Sequence, residues 1–275
     1  MTHQTAITAY VGTTECRAAR WSDMRPDERR RRALAAATTY DAAELWQLAE
    51  SHLYRHGSKG ARVSVNTLTA YRYGVRVFTE WARTHGVPIA RATTENGTDY
   101  ARHLEGAGYS PATVRSRVAA AKRLCAGLRW AGAATVDPFA DVRLAPDPTP
   151  PEDKRQPVSE PELAALLAQA SPLEVAFLLV AGHGGARISE ALSIEWGDVD
   201  GHRLHIRAGK GGRARAVEMT ASLCAALAAI RPPDASGRVF RFRHAAARQR
   251  LSKLYRRAEL APKPYHSLRH AAGCL

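Results

Sequence analysis

Between Leu144 and Pro157 the chain reads Leu-Ala-Pro-Asp-Pro-Thr-Pro-Pro-Glu-Asp-Lys-Arg-Gln-Pro, and no helix can run through it. Each proline lacks an amide donor, fixes its own φ and disfavours helix in the residue before it. The segment is therefore extended and semi-rigid. It divides the 275 residues into two stretches, each long enough to build a core of its own. The expected organisation is an arm or extra helix over residues 1–40, a helical domain over 41–145, a linker over 146–158 and a second domain over 159–275.

Upstream of the linker the apolar spacing is helical. Leu45, Leu48, Ala49 and Leu53 recur at three and four residues, and Gly57 follows as a stop signal. Ser64 to His85 is a second helix, with Leu68, Tyr71, Val75, Phe78 and Ala82 on one stripe. A third runs from Thr94 to Ala107. Ser110-Pro111 opens a fourth, since serine caps and proline is tolerated at the first helical position. That helix carries Val114, Val118, Ala121, Leu124 and Leu128, with Arg115, Arg117, Lys122 and Arg123 elsewhere on its surface. The basic run Arg29 to Arg32 reads equally well as a solvated surface.

Downstream, Ser159-Glu-Pro-Glu162 is a capping-box pattern that starts a helix through Leu163, Leu166 and Leu167. Leu173 to Val180 is nearly all apolar and hence a buried helix. A glycine-rich turn, Gly182-His-Gly-Gly-Ala-Arg-Ile-Ser-Glu190, feeds the next one. Arg203 to Arg207 and Arg215 to Glu218 alternate polar and apolar residues around Ala208-Gly-Lys-Gly-Gly212, a β-hairpin pattern. Helices resume from Ala221 and from His244 to Leu260. The fold class is mainly α with a small antiparallel sheet in the second domain.

The formal net charge of +14 favours a polyanionic partner, because lysine and arginine contacts to phosphates release condensed counterions. A solvated basic surface gives the same number. Cys16, Cys125, Cys224 and Cys274 are widely spaced, so neither a zinc cage nor a disulfide framework is indicated. No apolar run reaches membrane-spanning length, and the expected location is the cytoplasm, with the nucleoid. No cofactor and no metal are expected.

Three clusters in the second half carry chemistry together. They are Gly185-Ala-Arg187-Ile-Ser-Glu190, then Lys210 in the glycine-rich hairpin with Arg213 and Arg215 after it, then His266-Ser-Leu-Arg269-His270. Two arginines can grip the non-bridging oxygens of one phosphate with fork-shaped, permanently charged donors. Fixed donors aimed at those oxygens lower the barrier to phosphoryl transfer. A hairpin lysine can protonate a leaving alkoxide, and a histidine can assist. Each piece alone has a plainer reading: Arg187 and Glu190 as an i, i+3 surface pair, Lys210 as a solvated loop residue, His183 as local packing. His266 and His270 are four apart, but no third metal ligand accompanies them.

The stretch Gly185 to Leu192, the Gly-Lys-Gly hairpin and His-Ser-Leu-Arg-His resemble the tyrosine recombinase (phage integrase, Xer-like) family in residue type, order and spacing. Asn66-Thr-Leu-Thr-Ala-Tyr71 and Ser110-Pro-Ala-Thr-Val-Arg115 resemble its helical, SAM-like core-binding domain, so the likeness covers residues 40–275. The resemblance implies a two-domain clamp on double-stranded DNA, with other recombinase protomers as partners. It implies site-specific recombination by transesterification through a 3′-phosphotyrosyl intermediate. Arg187 and Arg269 would hold the scissile phosphate, Lys210 would be the general acid, His266 would assist and Glu190 would support Arg187. Asn66, Thr67, Tyr71, Arg115, Arg117, Lys122, Arg123, Arg213, Arg215 and Arg243 would contact DNA.

In the family a further histidine or tryptophan and the nucleophilic tyrosine follow the His-x-x-Arg motif, whereas this sequence stops at Leu275. Tyr255 and Tyr265 precede Arg269, on the wrong side of the motif in chain order. Cleavage by this stretch alone is therefore not expected. The alternative expectation is a non-catalytic DNA-binding protein of recombinase fold that occupies recombination sites.

Overall fold

The computed structural model describes residues 21–58, 63–150, 156–207 and 214–271. The chain separates into two compact units, residues 1–148 and 149–275, so the division falls inside the proline-rich segment.

In the first unit the described helices are α1 (Pro26–Thr38), α2 (Ala42–His56), α3 (Val65–Thr84), α4 (Thr94–Gly106) and α5 (Pro111–Trp130). Their starts follow from the caps. Asp41 accepts from the amides of Ala43 and Glu44, Ser64 from Thr67, Thr93 from Asn96 and Ser110 from Thr113. The core gathers Leu45, Leu48, Val75, Phe78, Tyr100, Leu124 and Leu128, with Phe139 from the stretch after α5. Residues 21–40 are part of this core: Trp21 and Ala33 are fully buried, and the basic run lies on α1. The α3–α5 crossing is close because of Gly74, where an added Cβ would stand 2.5 Å from the Cβ of Ala120.

The second unit contains α6 (Glu160–Ala168), α7 (Pro172–Gly182), α8 (Ile188–Ala191), α9 (Ala221–Ala229), α10 (His244–Arg257) and α11 (Tyr265–Ala271). Its sheet is antiparallel in the order β1 (Val199–Asp200), β2 (Arg203–Ile206), β3 (Arg215–Glu218). The predicted hairpin pairs Arg203 with Glu218 and Ile206 with Arg215. The short strand β1 joins the other edge of β2. Two residues are too few for a visible alternation, so sequence reading passes over it.

Helix α7 is the spine of this unit, buried from Ala176 to Gly182. Capping boxes at Ser159 and Ser171 start α6 and α7, with Glu162 and Glu174 reaching back. Helix α11 lies against α7, with Leu268 fully buried and the Tyr265 hydroxyl donating to the Phe177 carbonyl at 3.1 Å. Among the described residues no helix is long and apolar enough to cross a membrane.

Candidate functional site

The site is built around the C-terminal end of α7. There the chain reverses through Gly184 and Gly185, and Gly185 takes φ +59°, a conformation that side-chain-bearing residues rarely adopt. The Ala186 amide donates back to the Val180 carbonyl at 3.1 Å, which leaves Arg187 as the N-cap of α8. One turn on, Glu190 closes the cap. Its carboxylate accepts the Arg187 amide at 3.0 Å and the Arg187 guanidinium at 2.6 Å. Arg215, entering from β3, donates to the same carboxylate at 2.8 Å and to the Gly185 carbonyl at 3.2 Å.

The Glu190 side chain is only 1% exposed, against 33% for each of the two arginines. Burial acts most strongly on its carboxyl and opposes ionisation. The hydrogen bond from Arg215, then the amide and guanidinium of Arg187, outweigh that and hold it down to about 2. A buried carboxylate thus ties two cations together.

Arg269 reaches the cluster from α11. Tyr265 and Leu268 point into the core of the unit, so the helical repeat carries His266 and Arg269 on the other side. Burial, and then the field of Arg187, lowers the proton affinity of Arg269; Glu190 offsets this and Arg215 adds to it. Arg187, Arg215 and Arg269 therefore share one electrostatic neighbourhood, with Glu190 the carboxylate that acts on them among the described residues. Such a surplus of rigid donors matches a phosphate diester. His266 is exposed beside a groove of about 540 Å³, which Arg248, Ser252, Lys263 and Ile188 also line.

Struts outside the cluster hold α11 in place. Lys263 donates to Glu162 at 2.7 Å and to the Pro157 carbonyl at 3.1 Å, and the Val158 amide donates to the Ser267 carbonyl at 3.2 Å. The stretch leaving the linker is thus bonded directly to the helix that carries His266 and Arg269. Lys263 has no sequence signal beyond its position three residues before His266.

Both tyrosines of the described part of this unit are buried. The Tyr265 hydroxyl is engaged with Phe177, and burial pushes its pKa far up. Burial, then Glu162, pushes Tyr255 up to about 12. Neither hydroxyl is available to attack a bound phosphate.

Lys210 and Arg213 lie outside the described residues, as does the side chain of His270. Arg215 is where sequence reading missed a role. Alternation along Arg215-Ala-Val-Glu218 puts Arg215 on the half-buried face with Val217, and that period-2 pattern was the available signal. Arg243 is exposed at the N-cap of α10, and Arg248, Lys253 and Arg256 are exposed farther along the same helix. Two other arginines of that helix are used within the unit: Arg257 pairs with Glu174 at 2.7 Å and Arg250 lies over Phe242. His183 bonds Thr220 at 2.7 Å, a packing contact. Among the described residues no group of three or more His, Cys, Asp or Glu side chains is arranged to hold a metal.

In the first unit the structure separates the four basic residues of α5. Arg115, Lys122 and Arg123 are exposed, and Arg115 stands 4.0 Å from Asp147. Arg117 instead stands over Gly74 of α3, half-buried, 3.7 Å from the centroid of the Tyr109 ring and 5.6 Å from that of Tyr73. Arg76 covers Tyr73 from the other position, at 5.0 Å. Tyr73 and Tyr109 are large and exposed. This alternation of aromatic rings and guanidinium groups suits a nucleic-acid surface, and sequence reading passed over its tyrosines. Asn66 is exposed, Thr67 shares a hydrogen bond with Ser64 at 2.8 Å, and Tyr71 is half-buried against the core.

A family model described as the phage integrase N-terminal SAM-like domain matches residues 53–132, and one described as the phage integrase family matches residues 159–274. No curated protein matches the chain. Among solved structures it resembles the Tn1549 transposon integrase in complex with transposon right end DNA, at 16% identity and TM-score 0.65, over 83% of this chain and 84% of that one. It also resembles a lambda integrase dimer bound to a COC′ core site, at 15% identity and TM-score 0.65, over 83% and 68% of the two chains. A lambda integrase tetramer bound to a Holliday junction matches at 15% identity and TM-score 0.63, over 82% and 68%. These similarities concern the fold.

Proposed function

Because this chain belongs to the phage integrase family of tyrosine recombinases, we propose that it binds duplex DNA and activates one backbone phosphate for transesterification in site-specific recombination. The observation that carries this reading is the Glu190-bridged pair of Arg187 and Arg215 with Arg269 beside it. Arg187 and Arg269 grip the non-bridging oxygens and stabilise the charge that grows on them in the pentacovalent transition state. Lys210 donates a proton to the leaving oxygen, and His266 assists at the phosphate. The attacking hydroxyl is that of a tyrosine other than Tyr255 and Tyr265, since both are buried. Bond energy is kept in the phosphotyrosyl link, and further copies of the protein act on the same DNA, in the cytoplasm.

The first unit contributes affinity through exposed Asn66, Arg115, Lys122 and Arg123, and through Thr67, Tyr71 and Arg117 at its margins. In the second unit Arg213 and Arg243 add phosphate contacts. The burial of both tyrosines also favours a second reading, a protein that occupies recombination sites without cutting.

One experiment tests the reading and separates the two versions. The protein is incubated with duplex DNA, the mixture is denatured in detergent, and covalent adducts are resolved by electrophoresis and mass spectrometry. A phosphotyrosyl adduct that Arg269→Ala abolishes while duplex binding persists supports the recombinase. Tight binding with no adduct from any form of the protein supports occupancy alone. An adduct at Tyr255 or Tyr265, or no binding to duplex, overturns the proposal.

A further inference from the structure

Arg215 is a third arginine in a site whose phosphate needs two. Its position is dictated by strand geometry, because the half-buried face of β3 turns it toward the glycine turn and α8. One of its nitrogens, Nη2, is shared between the Gly185 carbonyl at 3.2 Å and Glu190 Oε2 at 2.8 Å. Those two acceptors lie on either side of Arg187 in the chain. Gly185 sets the direction in which the backbone leaves α7, and Glu190 closes the cap on Arg187.

We propose that Arg215 is a positioning residue that anchors the Glu190 carboxylate and locks the Gly185 turn, and so fixes Arg187 for the phosphate. The inference rests on the phosphate-site reading above. Without Arg215, the buried Glu190 keeps Arg187 as its one ion-paired guanidinium among the described residues and loses the partner that holds it from β3. A carboxylate no longer held from the β3 side can turn, and it then accepts less well from both the amide and the guanidinium of Arg187. The turn also loses its tie to the sheet. Arg187 is then held less firmly for the phosphate. A direct phosphate ligand would behave differently, because its loss would remove a contact without passing through Glu190.

The test uses inorganic phosphate as the probe and follows each arginine Nε–H signal by NMR in the full chain, assigned by single arginine-to-lysine substitutions. In the unaltered protein the Arg187 and Arg269 signals should move together and saturate, while that of Arg215 stays in place. Arg215→Met should weaken phosphate binding about tenfold, the loss of one charge-assisted hydrogen bond. Arg215→Lys should recover part of that loss. Glu190→Gln should weaken binding similarly, and the double variant no further than either alone, because both changes break one relay. Losses that multiply in the double variant, or an Arg215 signal that tracks phosphate, overturn the inference in favour of a direct ligand. Unchanged affinity in Arg215→Met overturns it outright. If Arg215→Met does not fold, the charge-neutral pair of Arg215→Met with Glu190→Gln and the Arg215→Lys chain decide by the same comparison. No saturable shift at Arg187 and Arg269 in the unaltered chain is a different failure, that of the phosphate-site reading itself.

Discussion

Glu190 shows how one residue converts a surface-pair motif into a site. At i, i+3 from Arg187 it has the spacing of a solvated pair worth a few tenths of a kcal/mol. Its near-complete burial and its second partner Arg215 change that account. Glu190→Gln removes the charge that two half-exposed arginines face, and should destabilise the second unit by about 1–3 kcal/mol at neutral pH. The pH dependence has a definite sign. The folded carboxyl sits at about 2, below its ordinary 4.5, so its contribution is complete above 4.5 and is lost as pH falls from there toward 2. Urea titrations at pH 7 and pH 3 should show the gap between the unaltered protein and Glu190→Gln narrowing at the lower pH; a constant gap refutes the ion-pair account. His52 in the first unit follows the same rule. Burial, then His56, Arg123 and Arg129, lowers it to about 4, so stability falls as pH drops from 6.5 toward 4. His52→Gln should flatten that part of the pH profile.

At the scale of elements, the helix that presents His266 and Arg269 is held by what it buries. Leu268 is fully enclosed against α7, and Leu268→Ala should cost about 2–5 kcal/mol by denaturant titration. The Lys263 strut is an ion pair with partly exposed members, so Lys263→Met should cost no more than about 1 kcal/mol. The α3–α5 crossing makes a sharper case. A methyl at Gly74 would meet the Ala120 methyl at 2.5 Å, so Gly74→Ala should destabilise the first unit by about 1–3 kcal/mol. Adding Ala120→Gly should restore most of that loss. If it does not, the crossing is not limited by these two residues. The capping serines and the Leu173 to Val180 run were legible in the sequence because helix starts and apolar periodicity are local. The strand β1 and the closeness of α3 to α5 depend on partners distant in the chain, and no local pattern announces them.

For the whole molecule, two separate hydrophobic cores on either side of the proline-rich segment imply two cooperative units. Calorimetry should resolve two transitions, with Leu268→Ala lowering the one assigned to the second unit and leaving the other in place; a single transition that shifts as one would contradict this. The net charge of +14 and the exposed arginines of both units predict duplex binding that weakens by orders of magnitude between about 50 and 200 mM salt. Binding that is indifferent to salt would mean that the basic faces do not meet phosphates.

The amino-acid order alone determined the two-unit plan and most helix boundaries, and it singled out Arg187, Glu190, His266 and Arg269 as candidates. Prolines, caps and apolar periods act within a few residues, and the three motifs carry their chemistry in residue type and order. Tertiary structure decided how those residues are used. It made Arg215 a partner of Glu190, moved Arg117 onto Tyr109 and Tyr73, and buried the hydroxyls of Tyr255 and Tyr265. Each depends on which face of an element meets another element, and on how much water is left between them. That information lies in the packing of α7, α11 and β3, and of α3 against α5, which no stretch of sequence contains by itself.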